Sequence, residues 1–283
     1  MANYIVEMDS GVHADASAAS SAITSAGASI TTTFSLSMTY LIDATAEQLA
    51  AISGVKHSAD ADADSGVGLQ SLSTHHFRYL DNRFGISSDP ASNSDVLRYE
   101  FGDWEPKYSA NGKTIYLVDS GINASHTELA NATISNLHSA YGSDYSDSTG
   151  HGTSMAGLMV GRNIGVARQA TVKNVKLFNE ASGNVTLGNV INALDAVLAD
   201  HNSGNVADVK VMCAPWTTAQ NNLIDSKIGE LNSANIVVVA AAGNQNDNVA
   251  NYSPAGVDAI ITVGAHDNDC LLYTSPSPRD QLQ

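Results

Sequence analysis

A chain of 283 residues with 43% hydrophobic content has room for one large domain, or a small one beside a medium one, around a proper core. Lys and Arg number 13 against 29 Asp and Glu, giving a net charge of -16; this repels phosphate backbones and anionic lipids and argues against nucleic acid or a membrane surface as partner. Two cysteines, Cys213 and Cys270, are too few for a disulfide framework or a cysteine-based metal site, and the most apolar run, Ile236 to Ala242, is far too short to span a bilayer.

The first segment reads strand, helix, strand, helix, strand: "YIVEM", "HADASAASSAITSAG", "ITTTFSLSMTYLID", "TAEQLAAIS" and "VKHSAD". In the third piece Phe34, Leu36, Met38 and Tyr40 alternate with Ser and Thr, which predicts one half-buried strand. The fourth opens on a capping box, Thr45 with Gln48. Residues 1–65 therefore form a small α+β unit. The acidic and then small-residue stretch from Asp60 to His76 suits an exposed linker, assigned to residues 66–84 together with a processing region.

From Thr114 onward short β-branched runs alternate with helical ones: "TIYLV", "TVKNVKLF", "ADVKVM", "NIVVVAAA" and "AIITVG". Leu187, Val190, Ile191, Leu194, Val197 and Leu198 recur at helical spacing between the second and third runs, as do Ile224, Ile228 and Leu231 before the fourth. Alternating strands and helices predict an α/β fold with a doubly wound, mainly parallel sheet covered on both faces. Reactive groups gather at the carboxyl ends of such strands.

Three motifs fall there. Asp119 closes the first strand ahead of a turn opened by Gly121; alone it would read as a turn former. His151 follows 32 residues later in "DSTGHGT", at the start of an apolar helix, with a glycine on each side that lets another backbone come close. Asn244 follows Gly243 at the end of "VVVAAAGN", where an asparagine amide can donate to a developing oxyanion. In this order "IYLVDSGIN", "GHGTSMAG" and "VVAAAGN", followed by "NYSPA" and "AIITVGA", resemble the motifs of the subtilisin-like serine proteases of peptidase family S8, most closely the proteinase K branch.

That resemblance covers residues 85–269, and "ATAEQLAAISGVKHSADAD" in residues 1–65 resembles the I9-type inhibitor propeptide of many such proteases, a ferredoxin-like chaperone whose tail occupies the cleft until it is cut. It implies a serine endopeptidase made as a zymogen, with a polypeptide substrate and its own propeptide as partners. Asp119 would hold the imidazole of His151, His151 would take the proton of a serine hydroxyl, and Asn244 would stabilise the tetrahedral oxyanion. Where the family has a Ser-Leu-Gly-Gly strand end for substrate, this chain has "VMCAPW": Ala214, Pro215 and Trp216, with Gly243, become the expected substrate-binding residues, and a bulky Trp216 beside a proline without an N–H predicts reshaped subsites. Calcium is common in the family, but no ligand set stands out from the general acidity, so no metal or other cofactor is expected.

"GTSMA" at Gly152 to Ala156 spells the opening of the family's nucleophile motif, Gly-Thr-Ser-Met-Ala-x-Pro, but Gly157 and Leu158 follow where the proline is needed. The stretch fits the histidine motif throughout, so Ser154 is not expected to be the nucleophile. The family's serine lies further along than this chain runs, and "CLLYTSPSPRD" resembles translated sequencing adapter, so residues 270–283 are expected to be non-native and the chain a fragment lacking its nucleophile. The alternative is a non-catalytic pseudoprotease or virion-associated scaffold. "MANYIVEMDSG" shows no export signal, which favours use inside a cell or virus particle over secretion.

Overall fold

A computed structural model describes residues 2–63, 68–69, 110–179 and 185–265. The N-terminal unit runs β1 (Ala2–Met8), α1 (Ala16–Ser25), β2 (Ser29–Thr33), β3 (Thr39–Ala44), α2 (Ala46–Ala51) and β4 (Val55–Asp60). Its four strands make an antiparallel sheet in the order β2-β3-β1-β4. Successive side chains of β1 point to opposite faces. Tyr4, Val6 and Met8 pack under the helices with Ile23, Tyr40 and Ile42, whereas Ile5 joins the core of the larger unit. The Thr45–Gln48 capping box forms in both directions.

One expectation is corrected here: residues 30–43 are a hairpin of β2 and β3 rather than one strand. Phe34 and Leu36 alternate because both insert into the core of the larger unit, not because the chain is extended through them. Carboxylates of that unit hold the turn, Asp195 accepting from the Leu36 N–H at 3.0 Å and Glu230 from that of Ser37 at 2.6 Å.

The larger unit is built from β6 (Thr114–Asp119), β7 (Thr133–Ser139), α3 (His151–Val160), β8 (Thr171–Lys176), α4 (Leu187–Ser203), β9 (Lys210–Ala214), β10 (Trp216–Ala219), α5 (Asn222–Ser233), β11 (Ile236–Ala241), β12 (Tyr252–Ser253) and β13 (Ile261–Val263). Six of these strands pair in parallel in the order β13-β11-β9-β6-β8-β7. Leu194, Val197 and Ile228 of α4 and α5 cover one face with Tyr116 and Val118. Ala156 and Val160 of α3 cover the other with Leu117 and Val172. The α/β architecture read from the sequence is thus the one observed.

A second, three-stranded sheet has the order β12-β10-β5, in which β5 (Gly68–Leu69) lies antiparallel to β10 through the pairs Trp216–Leu69 and Thr217–Gly68. Apart from that pair and residues up to 63, the expected linker lies outside the described residues, as does the tail from 270 onward. No helix among the described residues is long and apolar enough to cross a membrane.

Candidate active site

Strand β6 lies between β8 and β9, so its carboxyl end is held from both sides. Asp119, its last residue, is fully buried. The chain turns sharply after it because Gly121 has φ +104, and a Cβ there would meet the Ser146 carbonyl oxygen at 2.3 Å. The N–H groups of Leu177 and Phe178 bind the Asp119 carbonyl at 2.7 and 3.2 Å, which fixes the strand end.

His151 is the first residue of α3 and donates from Nδ1 to Asp119 Oδ1 at 2.8 Å and Oδ2 at 2.9 Å. Facing two carboxylate oxygens, Nδ1 must carry the proton, which leaves the lone pair on Nε2 to act as base. Burial pushes the Asp119 carboxyl above its ordinary range, opposed by the imidazole and by the Ser120 N–H, which binds Oδ1 at 2.6 Å. Gly152 makes this approach possible: a Cβ on it would lie 2.1 Å from the Gly121 carbonyl oxygen and 3.2 Å from Asp119 Oδ1. The glycine after the histidine therefore has the role read from the sequence, and the glycine before it, Gly150, serves as a left-handed turn at φ 80.

Asn244 sits past the carboxyl end of β11, on the sheet edge where β6 and β9 also end. Its N–H donates to Gln245 Oε1 at 2.8 Å. Gly243 before it has φ +98, and a Cβ there would crowd Gln245 Oε1 at 2.3 Å with Thr217 Oγ1 at 3.5 Å, so this turn lies against β10. The structure brings Asp119 and His151 into direct contact and sets Asn244 on the same edge.

Ala214 ends β9, Pro215 bridges to β10, and Trp216 opens β10 by pairing with Leu69. The Trp216 side chain is fully buried in the main core. Its bulk therefore packs in the interior, while its backbone pairs with Leu69. Ser154 Oγ donates to the Gly150 carbonyl at 2.8 Å, back along its own helix. Cys213 is inert, its thiol pushed up to about 12 by burial and by the nearby Asp119. Among the described residues no group of three or more His, Cys, Asp or Glu is gathered in a way that could hold a metal ion.

Four supporting residues escape a reading by motif alone. Ser120, Asp147, Thr149 and Thr153 form a hydrogen-bonded group around the start of α3. The signal for Asp147, Thr149 and Thr153 is the segment "DSTGHGT" itself, an acceptor-rich run just ahead of a helix that lacks a side-chain cap, while Ser120 follows Asp119 in "VDSG".

A parallel α/β sheet thus carries a buried Asp–His pair at its strand ends, with an asparagine turn on the same edge. The chain belongs to the Subtilase family, whose pattern matches residues 110–281. It is 28% identical over 184 residues to Proteinase R of Parengyodontium album, covering 65% of this chain and 46% of that one. It is 33% identical over 159 residues to an alkaline proteinase of Hapsidospora chrysogena, covering 56% and 38%. The matched region thus spans less than half the length of these relatives. A cold-adapted subtilisin-like serine proteinase superposes with TM-score 0.55 at 26% identity, over 61% of this chain and 62% of that one. Fervidolysin from Fervidobacterium pennivorans superposes with TM-score 0.65 at 17% identity, over 94% of this chain and 43% of that one, a likeness of fold that takes in the N-terminal unit.

Proposed function

We propose that this chain is part of a serine endopeptidase made as a zymogen and acting on polypeptides. The observation that carries the reading is the bidentate seat of His151 Nδ1 on the buried Asp119 carboxylate, which orients Nε2 as the base for a serine hydroxyl. Asn244 donates to the oxyanion that attack creates, and the edge of β10 pairs with an extended substrate. Ser154, turned toward its own helix, is not placed to be the nucleophilic serine of this reading. A chain without that serine is expected to be inactive, since losing the nucleophile costs on the order of 10⁶ in turnover.

Residues 1–65 act in this reading as the propeptide. Ile5, Phe34 and Leu36 share a core with α4 and α5, and the chain just beyond the unit lies along β10, where substrate would pair. That placement supports inhibition by occupancy of the cleft.

The test expresses residues 1–269 within their full-length gene product and measures casein hydrolysis after removal of the N-terminal unit. His151→Ala should abolish turnover, and Asn244→Ala should lower it by roughly 10²–10³ through loss of one oxyanion donor. An inactive product, or one whose rate ignores both changes, would establish the scaffold reading instead.

A further inference from the structure

We propose that Asp147 is the positioning residue for His151: its one carboxylate ties the start of α3 to the turn that follows Asp119. The proposal deepens, and rests on, the reading of Asp119 and His151 as the base pair of a hydrolase.

A helix start leaves four N–H groups without intrahelical acceptors, and α3 begins on Gly150, which offers no side chain to cap them. Each nonetheless has a partner. The His151 N–H donates to Thr149 Oγ1 at 3.0 Å, and that of Gly152 to Ser120 Oγ at 3.0 Å. The Thr153 N–H donates to Asp147 Oδ2 at 2.8 Å and that of Gly150 to Asp147 Oδ1 at 2.9 Å, after which Ser154 begins the helical ladder on the Gly150 carbonyl.

Asp147 also holds the two hydroxyls in that account. Ser120 Oγ donates to its Oδ1 at 2.8 Å, and Thr149 Oγ1 shares its proton between Ser120 Oγ at 2.7 Å and Asp147 Oδ1 at 3.1 Å. The N–H groups of Thr149 and Gly150 reach Oδ1 at 3.1 and 2.9 Å. Thr153 Oγ1 donates to Oδ2 at 2.5 Å and accepts the Asn123 N–H at 2.9 Å, which draws in the far side of the Gly121 turn.

Asp119 and His151 lie on separate segments; Ser120 Oγ reaches across to Asp147 and Gly152 and the Asn123 N–H to Thr153, and Asp147 holds both hydroxyls on which these crossings turn, those of Ser120 and Thr153. Burial raises the Asp147 carboxyl, but the donors of Thr153, Ser120 and Gly150 outweigh it and hold the group below its ordinary range, so it is ionised wherever His151 can act as a base. A negative charge at a helix N-terminus is also favoured by the helix dipole.

Asp144 supplies the contrast. It anchors the same loop, accepting from Lys176 Nζ at 2.8 Å and from the Ser146 N–H and Oγ at 3.0 and 2.6 Å, but its hydrogen bonds stay within the loop and β8. If a loop staple were all that mattered, the two aspartates would be equivalent.

The experiment uses the full chain with ¹⁵N-histidine and follows the His151 Nδ1–H resonance, identified by its loss in His151→Gln. Asp147→Asn keeps the side chain's size but puts an NH₂ where an acceptor is needed. It should raise solvent exchange of that proton about tenfold, the loss of roughly one net hydrogen bond. Asp144→Asn should leave exchange at the parent rate. A folded Asp147→Asn chain exchanging at the parent rate overturns the proposal, as does equal acceleration in Asp144→Asn. Should Asp147→Asn not fold, Thr149→Val decides: it removes the acceptor of the His151 N–H, and faster exchange supports the linkage while an unchanged rate overturns it. The readout needs no turnover, so an inactive full-length protease with a protected Nδ1–H would sink the proteolysis reading and leave this one standing.

Discussion

Gly152→Ala tests the closeness of helix and strand on which the site depends. The added methyl would sit 2.1 Å from the Gly121 carbonyl oxygen, 0.9 Å short of the 3.0 Å below which such contacts essentially never occur. That oxygen is backbone, in a turn already packed against the Ser146 carbonyl, so α3 must retreat rather than the turn. A retreat of that size carried into the 2.8 Å separation of His151 Nδ1 and Asp119 Oδ1 takes it well past about 3.2 Å, the outer edge of a good N–H···O bond. Overpacking of this kind costs about 1–3 kcal/mol, and the weakened charge-assisted bond adds to it. Urea unfolding should show a stability loss of about 3 kcal/mol at unchanged slope, and the His151 Nδ1–H should lose its protection. In the full-length enzyme the misplaced base should cost about 10² in rate. A variant within about 0.5 kcal/mol of the parent, with the Nδ1–H still protected, would refute the argument that contact with Gly121 sets the geometry.

Two further outcomes follow from buried charge. Lys176 is fully buried with its ammonium on Asp144 and the Ser146 carbonyl, and it holds the Asp144 carboxyl at about 2 against an ordinary 3.8. A carboxyl depressed on folding adds stability above its unfolded value, and that contribution is lost as pH falls from 3.8 through about 2. Lys176→Met should therefore flatten the acid limb of stability in that window and return Asp144 toward 3.8, read by carboxyl ¹³C titration; an unmoved Asp144 would contradict the pairing. At the junction of the units, Lys227 is fully buried 3.1 Å from Glu7, and Lys227→Met should cost up to about 3 kcal/mol by leaving that buried carboxylate only the half-exposed Lys56 and the Ser226 hydroxyl. Glu7→Leu in the same chain should recover most of the loss, and a double variant as unstable as the single would show that packing, not charge, is at stake.

The β-branched runs of β6, β8, β9 and β11 were readable because these strands are buried within a parallel sheet, where both faces select apolar side chains, whereas β13 at its edge kept a β-branched run with Ile261 and Val263 exposed. Strand β7 escaped because it lies at the sheet edge and carries "TISNLHS", half of it turned to solvent. The alternation of Phe34, Leu36, Met38 and Tyr40 was real but misread: a turn that plugs into a neighbouring core has the same period as a strand. Asp119, His151 and Asn244 stand out in the sequence because each sits in a glycine-bearing motif, and Gly121, Gly152 and Gly243 are required there by backbone geometry. The burial of Trp216 does not, since a strand's facing cannot be read where a proline interrupts it. Asp147 was hidden for another reason: its hydrogen bonds to Ser120 and Thr153 exist only once the segments have folded together.

The contacts that set the base pair lie close together in the chain. Asp119 is fixed by Leu177 and Phe178, its turn by Ser146, and the start of α3 by Asp147, Thr149 and Ser120, all between residues 119 and 178. The Asn244 turn depends instead on Gly243, Gln245 and Thr217. Two neighbouring networks therefore meet at one sheet edge, each held by its own hydrogen bonds. A nucleophile delivered there would meet an imidazole already carrying its proton on Nδ1 and seated on a buried carboxylate, so most of the cost of orienting the base is met by the fold before substrate binds. Perturbing one network should then leave the other in place: Gly152→Ala should move the His151 resonances and leave the Asn244 amide unshifted, and displacement of both would mean that the sheet edge behaves as a single cooperative element.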